Sequence, residues 1–122
     1  MLRVLIVDDQ PAFRQHLRRL LTYAGLTVVG EARDICEAEK LVETAQPDLA
    51  VVDVMLPDVS GLEGVSRLKA PWPALRVILI SAYHDSARVL CTAAEEAGAE
   101  AFIPKDELDL DVVRAWSTSA KM

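Results

Sequence analysis

Three four-residue apolar runs, Val4-Leu5-Ile6-Val7, Leu49-Ala50-Val51-Val52 and Val77-Ile78-Leu79-Ile80, carry no polar residue at alternate positions. A strand with one wet face alternates; a strand that does not alternate is covered on both sides. The segments between these runs have helical spacing instead. Phe13, Leu17, Leu20, Leu21 and Ala24 recur at i, i+4, i+7, i+8 and i+11, and Gly25 ends that helix. Short buried strands alternating with helical patterns imply βα units in series, with helices on both faces of a parallel sheet.

The remaining units follow the same rhythm. Leu26 to Gly30 reads as a second, weaker strand. Asp34 opens the next helix, with Glu37 three residues on in a capping-box pattern. Ile35, Ala38, Leu41, Val42 and Ala45 form its buried stripe, and Pro47 closes the unit. After the third strand, Pro57 and Gly61 mark a loop, and Leu62, Val65 and Leu68 predict a third helix. Pro71-Trp72-Pro73 is a rigid connector in which Trp72 is expected to plug the loop. Ser86 is expected to cap a fourth helix with Val89, Leu90, Ala93, Ala94 and Ala97 inward. Ala101-Phe102-Ile103 is a short fifth strand stopped by Pro104, and Leu108, Val112 and Trp116 predict a last helix. Trp116 is expected to cap the core.

A chain of 122 residues accommodates one domain of this kind. Its net charge of −6 argues against direct nucleic-acid binding, which needs a basic footprint. Asp8 and Asp9 interrupt the only early apolar run, so no signal peptide is expected. No apolar stretch approaches membrane-spanning length, and a cytoplasmic location is expected. Cys36 and Cys91 have no metal or redox spacing and read as ordinary buried thiols. His16 reads as a solvated helix residue, and His84 falls near the rim without ligand spacing.

The polar residues fall where such a sheet builds its site, beyond the carboxyl ends of the strands. The first strand ends in Asp8-Asp9, the third in Asp53 and the fourth in Ser81, while Lys105 follows the fifth after Pro104. Each element alone has a bland reading: a loop cap for the aspartates, a solvated surface group for the lysine. Together they bring three carboxylates, a hydroxyl and an amine to one rim. Clustered carboxylates repel unless a cation compensates. Mg²⁺ suits a few carboxylates plus water and phosphate oxygens. A metal-assisted carboxylate can act as a nucleophile toward phosphorus, with lysine neutralising the transferring group.

With VLIVDD (4–9), VVDVMLPDVSG (51–61), VILISAY (77–83) and FIPK (102–105), the chain resembles a response regulator receiver domain of two-component signalling. The resemblance implies an α/β fold: a doubly wound, flavodoxin-like, five-stranded parallel sheet in the order 2-1-3-4-5. It implies Asp53 as phosphoacceptor. It implies Mg²⁺ held by Asp8, Asp9, Asp53 and the Met55 backbone carbonyl, with Asp9 the direct ligand and Asp8 acting partly through water. Ser81 takes the switch hydroxyl position, Lys105 pairs with the phosphoryl group, and Phe102 takes the switch aromatic position. The donor is a phosphohistidine on a sensor histidine kinase or phosphotransfer protein. VVGEA (28–32) and FIPK resemble the subgroup whose receivers precede a LuxR-type helix-turn-helix domain. Residues 1–119 are then the receiver and 120–122 a C-terminal tail, with the output domain absent and an output in transcriptional control.

By the same resemblance, phosphorylation draws Ser81 toward the phosphoryl group, Phe102 moves into the vacated space, and the loop from Ala82 to Asp85 shifts. This biases a face of helix 4, strand 5 and helix 5, including Val89, Leu90 and Trp116, which is also a candidate for homodimerisation. Some departures stand out. Asp106 follows Lys105 where many relatives have proline, and Phe102 lacks a hydroxyl. Met55 and Tyr83, two residues past Asp53 and Ser81, are placed to obstruct an attacking water, predicting slow self-dephosphorylation. Two alternatives stand beside this reading. One is a receiver-like interaction module independent of phosphorylation. The other is an aspartyl-nucleophile phosphohydrolase, for which Met55 stands where a second aspartate is needed. The chain is expected to be no conventional enzyme, catalysing only its own phosphorylation and dephosphorylation.

Overall fold

The computed structural model describes residues 1–82 and 87–119. Ser86, Tyr83, His84 and Asp85 lie outside the described residues, as does the expected tail at 120–122. The elements run β1 (Arg3–Val7), α1 (Pro11–Tyr23), β2 (Thr27–Ala32), α2 (Ile35–Ala45), β3 (Leu49–Asp53), α3 (Gly61–Lys69), β4 (Arg76–Ser81), α4 (Ala87–Ala97), β5 (Ala101–Pro104) and α5 (Leu110–Ser119). A 3-10 turn, Lys105–Glu107, joins β5 to α5. All four strand pairs are parallel and the sheet order is β2-β1-β3-β4-β5, as the resemblance implied.

The non-alternating runs are explained by two cores, one on each face of the sheet. Leu5, Val7, Ala50, Val52, Val77 and Leu79 point toward α2, α3 and α4, where Ile35, Ala38, Val42, Val65, Leu68 and Ala94 meet them. Val4, Ile6, Leu49, Val51, Ile78 and Ile80 point the other way, against Leu17 and Leu21 of α1 and Val113 and Trp116 of α5. Successive side chains of one strand alternate between two dry faces, so the sequence loses its polar beat. Burying each such Leu, Ile or Val side chain contributes roughly 1.5–3 kcal/mol.

Local chemistry sets the helix ends. Pro11 occupies the first turn of α1, where its missing N–H costs nothing, and Gly25 ends that unit at φ +86°. Asp34 caps α2 by accepting from the Glu37 amide at 2.8 Å. The Glu37 carboxylate reaches back one residue further than a capping box does, accepting from the Arg33 amide at 2.9 Å. Ser60 caps α3 through the Leu62 amide at 3.2 Å.

Several expectations need correction. β2 begins at Thr27 and runs on to Ala32, because Ala32 pairs with Val7 and its carbonyl accepts from the Asp8 amide at 2.9 Å. Cys36 and Cys91 are exposed, not buried. Cys36 sits one position off the buried Ile35, Ala38, Val42 stripe, about 100° around the helix. Val89 is 70% exposed, because Leu90, Ala94 and Ala97 form the inward stripe of α4. Leu108 precedes α5; Asp109 accepts from the Val112 amide at 2.9 Å and starts the helix after it. Trp116 is buried in the α1/α5 core, as the capping reading expected, so it drops out of the switch face. Trp72 is partly buried against the other core, matching the expected plug. His16 is exposed, with its ring 6.1 Å from that of Phe13.

Candidate functional site

Parallel strands that all end on one side bring their last residues to one rim, and this rim collects the polar groups. Asp53 is the last residue of β3 and Ser81 the last of β4; Asp8 and Asp9 follow β1 directly, and Lys105 follows β5. Asp8 and Ser81 are fully buried and Asp53 is 4% exposed, whereas Asp9 faces solvent.

Each buried carboxylate is held in a similar way. Asp8 Oδ1 accepts from the Gln10 amide at 2.8 Å, and Asp53 Oδ1 accepts from the Met55 amide at 3.0 Å. The other oxygen of each faces one ammonium: Lys105 Nζ is 2.7 Å from Asp8 Oδ2 and 3.3 Å from Asp53 Oδ2. The Asp8 contact is an ion pair rather than an aligned hydrogen bond, for Asp8 Oδ2 has no well-directed donor among the described residues. Arg14 Nη1 donates to the Asp8 backbone carbonyl at 2.6 Å, while its Nε pairs with Glu31 of β2 at 3.2 Å. The first turn of α1 is thereby tied to the acidic corner.

Burial pushes the Asp53 carboxyl up to about 6. The Met55 amide opposes that shift, Asp8 adds to it by like-charge repulsion, and Lys105 opposes it. Asp53 is thus a carboxylate whose charge the protein alone only partly compensates. One oxygen each from Asp8, Asp9 and Asp53 lie within 4.8 Å of one another. These are hard oxygen donors, Asp8 Oδ2 lacks a directed donor, and the rim carries excess negative charge; the set fits Mg²⁺.

The residues expected at the strand ends, Asp8, Asp9, Asp53, Ser81 and Lys105, are brought to one rim, while Tyr83 and His84 lie outside the described residues. Met55 contributes its amide to Asp53, and its side chain is 56% exposed. Phe102, in β5 beside Leu79, is buried in the α2–α4 core at 8% exposure. Three contributors went unread in the sequence. Arg14 and Phe13 lie on α1, and the Phe13 ring centroid is 4.2 Å from Lys105 Nζ. Gly61 abuts the Asp53 backbone: a Cβ there would stand 2.2 Å from the Asp53 carbonyl oxygen. The signal for Gly61 was present in the Gly opening a helix just after the loop; Arg14 and Phe13 offered none beyond helical spacing. A cleft of about 640 Å³ lined by Leu2, Leu26, Asp48, Trp72 and Arg76 opens at the opposite, amino end of the strands, away from this chemistry.

Comparison with known proteins agrees with this geometry. Residues 4–115 match the family described as response regulator receiver domain. The chain is 35% identical to the transcriptional regulatory protein NarL of Mycobacterium tuberculosis over 98% of its own length and 55% of that protein's. It is 34% identical to the chemotaxis protein CheY of Thermotoga maritima, covering 98% of both chains. It spans about half the length, or less, of the first curated relatives it matches. The solved receiver domain of NarL from M. tuberculosis superposes with a TM-score of 0.87 at 33% identity, covering 98% of this chain and 96% of that one. CheY of Borrelia burgdorferi, solved in a complex with CheX, BeF3 and Mg²⁺, superposes at 0.86 with 29% identity, covering 98% and 90%.

Proposed function

Because the chain belongs to the response regulator receiver domain family, we propose that it accepts a phosphoryl group on Asp53. The observation that carries this is the placement of Asp53: last in β3, 4% exposed, 3.3 Å from Lys105 and grouped with Asp8 and Asp9. Family members are signalling proteins, and no described helix is long and apolar enough to cross a membrane.

In the proposed reaction an Asp53 carboxylate oxygen attacks phosphorus of a phosphohistidine. An O–P bond forms and the P–N bond breaks, its electron pair returning to the ring nitrogen; with the other ring nitrogen of the phosphohistidine protonated beforehand, the imidazole leaves neutral and keeps that proton. Lys105 is placed to neutralise charge on the phosphoryl oxygens, and Ser81 to donate a hydrogen bond to them. Asp8, Asp9, Asp53 and the Met55 carbonyl are the proposed holders of Mg²⁺, which when bound supplies positive charge to the transferring phosphoryl group. The B. burgdorferi CheY complex with BeF3 and Mg²⁺ supports the same assignment by likeness. The donor is a sensor histidine kinase or phosphotransfer protein, and the setting is cytoplasmic. Residues 1–119 are the receiver unit. The relatives that regulate transcription support a transcriptional output, delivered through a DNA-binding partner or domain rather than this acidic one. Movement of Ser81 and Phe102 is the proposed switch, with homodimerisation through α4, β5 and α5 as its readout. The exposed Met55 side chain beside Asp53 supports slow self-dephosphorylation, and Met55→Asn is expected to lose phosphate faster.

Incubation with Mg²⁺ and a small acyl phosphate, followed by intact mass, tests this reading. One added phosphoryl group, dependent on Mg²⁺ and absent in Asp53→Ala, is the expected result. An adduct that survives Asp53→Ala would sink the assignment.

A further inference from the structure

Lys105 carries three N–H donors and makes two anionic contacts, to Asp8 and Asp53. Its remaining side is not open to water, since the side chain is only 11% exposed. What covers it is the face of Phe13, from the first turns of α1, with the ring centroid 4.2 Å from Nζ. That lies well inside the roughly 6 Å over which an aromatic quadrupole attracts an ammonium. The Lys105 ammonium thus contacts both the carboxylates of Asp8 and Asp53 and the face of the Phe13 ring.

We propose that Phe13 is a positioning residue for phosphoryl transfer: its ring holds the Lys105 ammonium over the Asp8–Asp53 pair by a cation–π contact. This rests on the reading of Asp53 as phosphoacceptor. The physical basis is separable from simple packing. A lysine on four rotatable bonds needs a wall to define where its charge sits, and water would swing it outward. A leucine at 13 supplies apolar area but no quadrupole; a tyrosine supplies both. Arg14, the next residue, already anchors this turn of α1 to the Asp8 carbonyl at 2.6 Å. The ring's position is thus fixed relative to the site by the backbone of the acidic loop itself.

The test measures the rate of Mg²⁺-dependent adduct formation from a small acyl phosphate, with Lys105 Hε chemical shifts alongside. In the parent, ring current displaces the Lys105 Hε protons upfield, and Phe13→Leu returns them to ordinary lysine values. Phe13→Leu slows the maximal rate by roughly three- to tenfold, and Phe13→Tyr restores it. In a Lys105→Met background, Phe13→Leu has no further effect on the rate. The proposal is overturned if the Hε shifts do not depend on the ring, if Leu supports the parental rate, or if Leu slows the reaction equally with and without Lys105. Should Phe13→Leu unfold, Phe13→Met keeps a similar volume and is read in the same way. Should the parent take no phosphoryl group, the phosphoacceptor reading fails, and the Hε shifts still decide whether the ring holds the ammonium.

Discussion

The Lys105 ammonium lies 2.7 Å from Asp8 Oδ2, nearer than its 3.3 Å to Asp53 Oδ2. The cation after β5 therefore serves two carboxylates, one proposed as metal ligand and one as nucleophile. Removing it leaves a rim of three carboxylates with its internal counter-charge gone. Two unit charges about 4 Å apart near a protein surface interact by about 4 kcal/mol, before solvent and salt reduce it. Lys105→Met should bind Mg²⁺ more tightly, by about tenfold, yet form the phosphoryl adduct on the order of 10²-fold more slowly, as when one charge-stabilising donor is lost. Calorimetric titration with Mg²⁺ and a mass time course read the two effects separately. Weaker Mg²⁺ binding in the variant would contradict this charge balance.

The raised pKa of Asp53, about 6 against an ordinary 3.8, carries a stability consequence. The folded state binds more protons than the unfolded state between those values, so the stability given by the neutral carboxyl is present below about 3.8 and is lost as pH climbs through 6. At neutral pH the buried charge then costs the fold something on the order of 3 kcal/mol. Asp53→Asn should unfold at a higher temperature than the parent at pH 7 in chelator, with the gap closing toward pH 4. Thermal melts at several pH values measure it. A gap that does not change with pH would show that burial of charge is not its source.

Gly61 sets how closely α3 approaches the end of β3, where Asp53 sits. A Cβ at this position meets the Asp53 carbonyl oxygen at 2.2 Å, the Asp53 carbonyl carbon at 2.9 Å and Val54 Cα at 2.9 Å. These are backbone atoms, so no side-chain rotation relieves the contact. Gly61→Ala should cost about 1–3 kcal/mol by urea denaturation and displace Asp53 from Lys105, reducing adduct formation as well as stability. Gly25 provides the contrast. Its φ of +86° strains any other residue, but nothing lies within 4 Å of its Cβ position. Gly25→Ala should lose about 1 kcal/mol and leave the phosphorylation rate of the folded protein unchanged.

Much of this arrangement was legible because it rests on short-range patterns. The apolar runs at 4–7, 49–52 and 77–80 specify strands buried on both faces, and their polar last residues then fall on one rim without further information. Less legible were features fixed by rotation about a helix or by a neighbour distant in sequence. Cys36 and Val89 each sit about one residue, or 100°, from a buried stripe, and short helices in which most residues are apolar blur that phase. Leu108 kept the helical spacing while belonging to the turn before α5, since capping by Asp109 moves the start of the helix past it. The contact of Phe13 with Lys105 spans most of the chain, and nothing in either local sequence points to the other.

Asp58 illustrates such a distant contact and leads to a further outcome. It lies in the loop between β3 and α3, yet its carboxylate caps α2: Oδ1 accepts from the Ile35 amide at 3.2 Å and Oδ2 from the Cys36 amide at 3.1 Å. Oδ1 also accepts from Val59 at 2.7 Å. Desolvation works against the charged form, but these amides together hold the Asp58 carboxyl below its usual range. Its stabilising contribution is therefore present above the ordinary carboxylate pKa and is lost as pH falls below it. Asp58→Ala should cost about 1 kcal/mol at pH 7, an exposed cap being worth no more, and the difference from the parent should shrink in acid. The same loop holds Met55, whose amide orients Asp53 at 3.0 Å, so loosening its far end should also slow adduct formation. Asp34→Ala, which removes the ordinary cap of α2 without touching this loop, should lose similar stability and keep the parental rate. Amide exchange at Ile35 and Cys36, with the two adduct rates, separates a cap from a tether. Equal rates in both variants would leave Asp58 a cap alone.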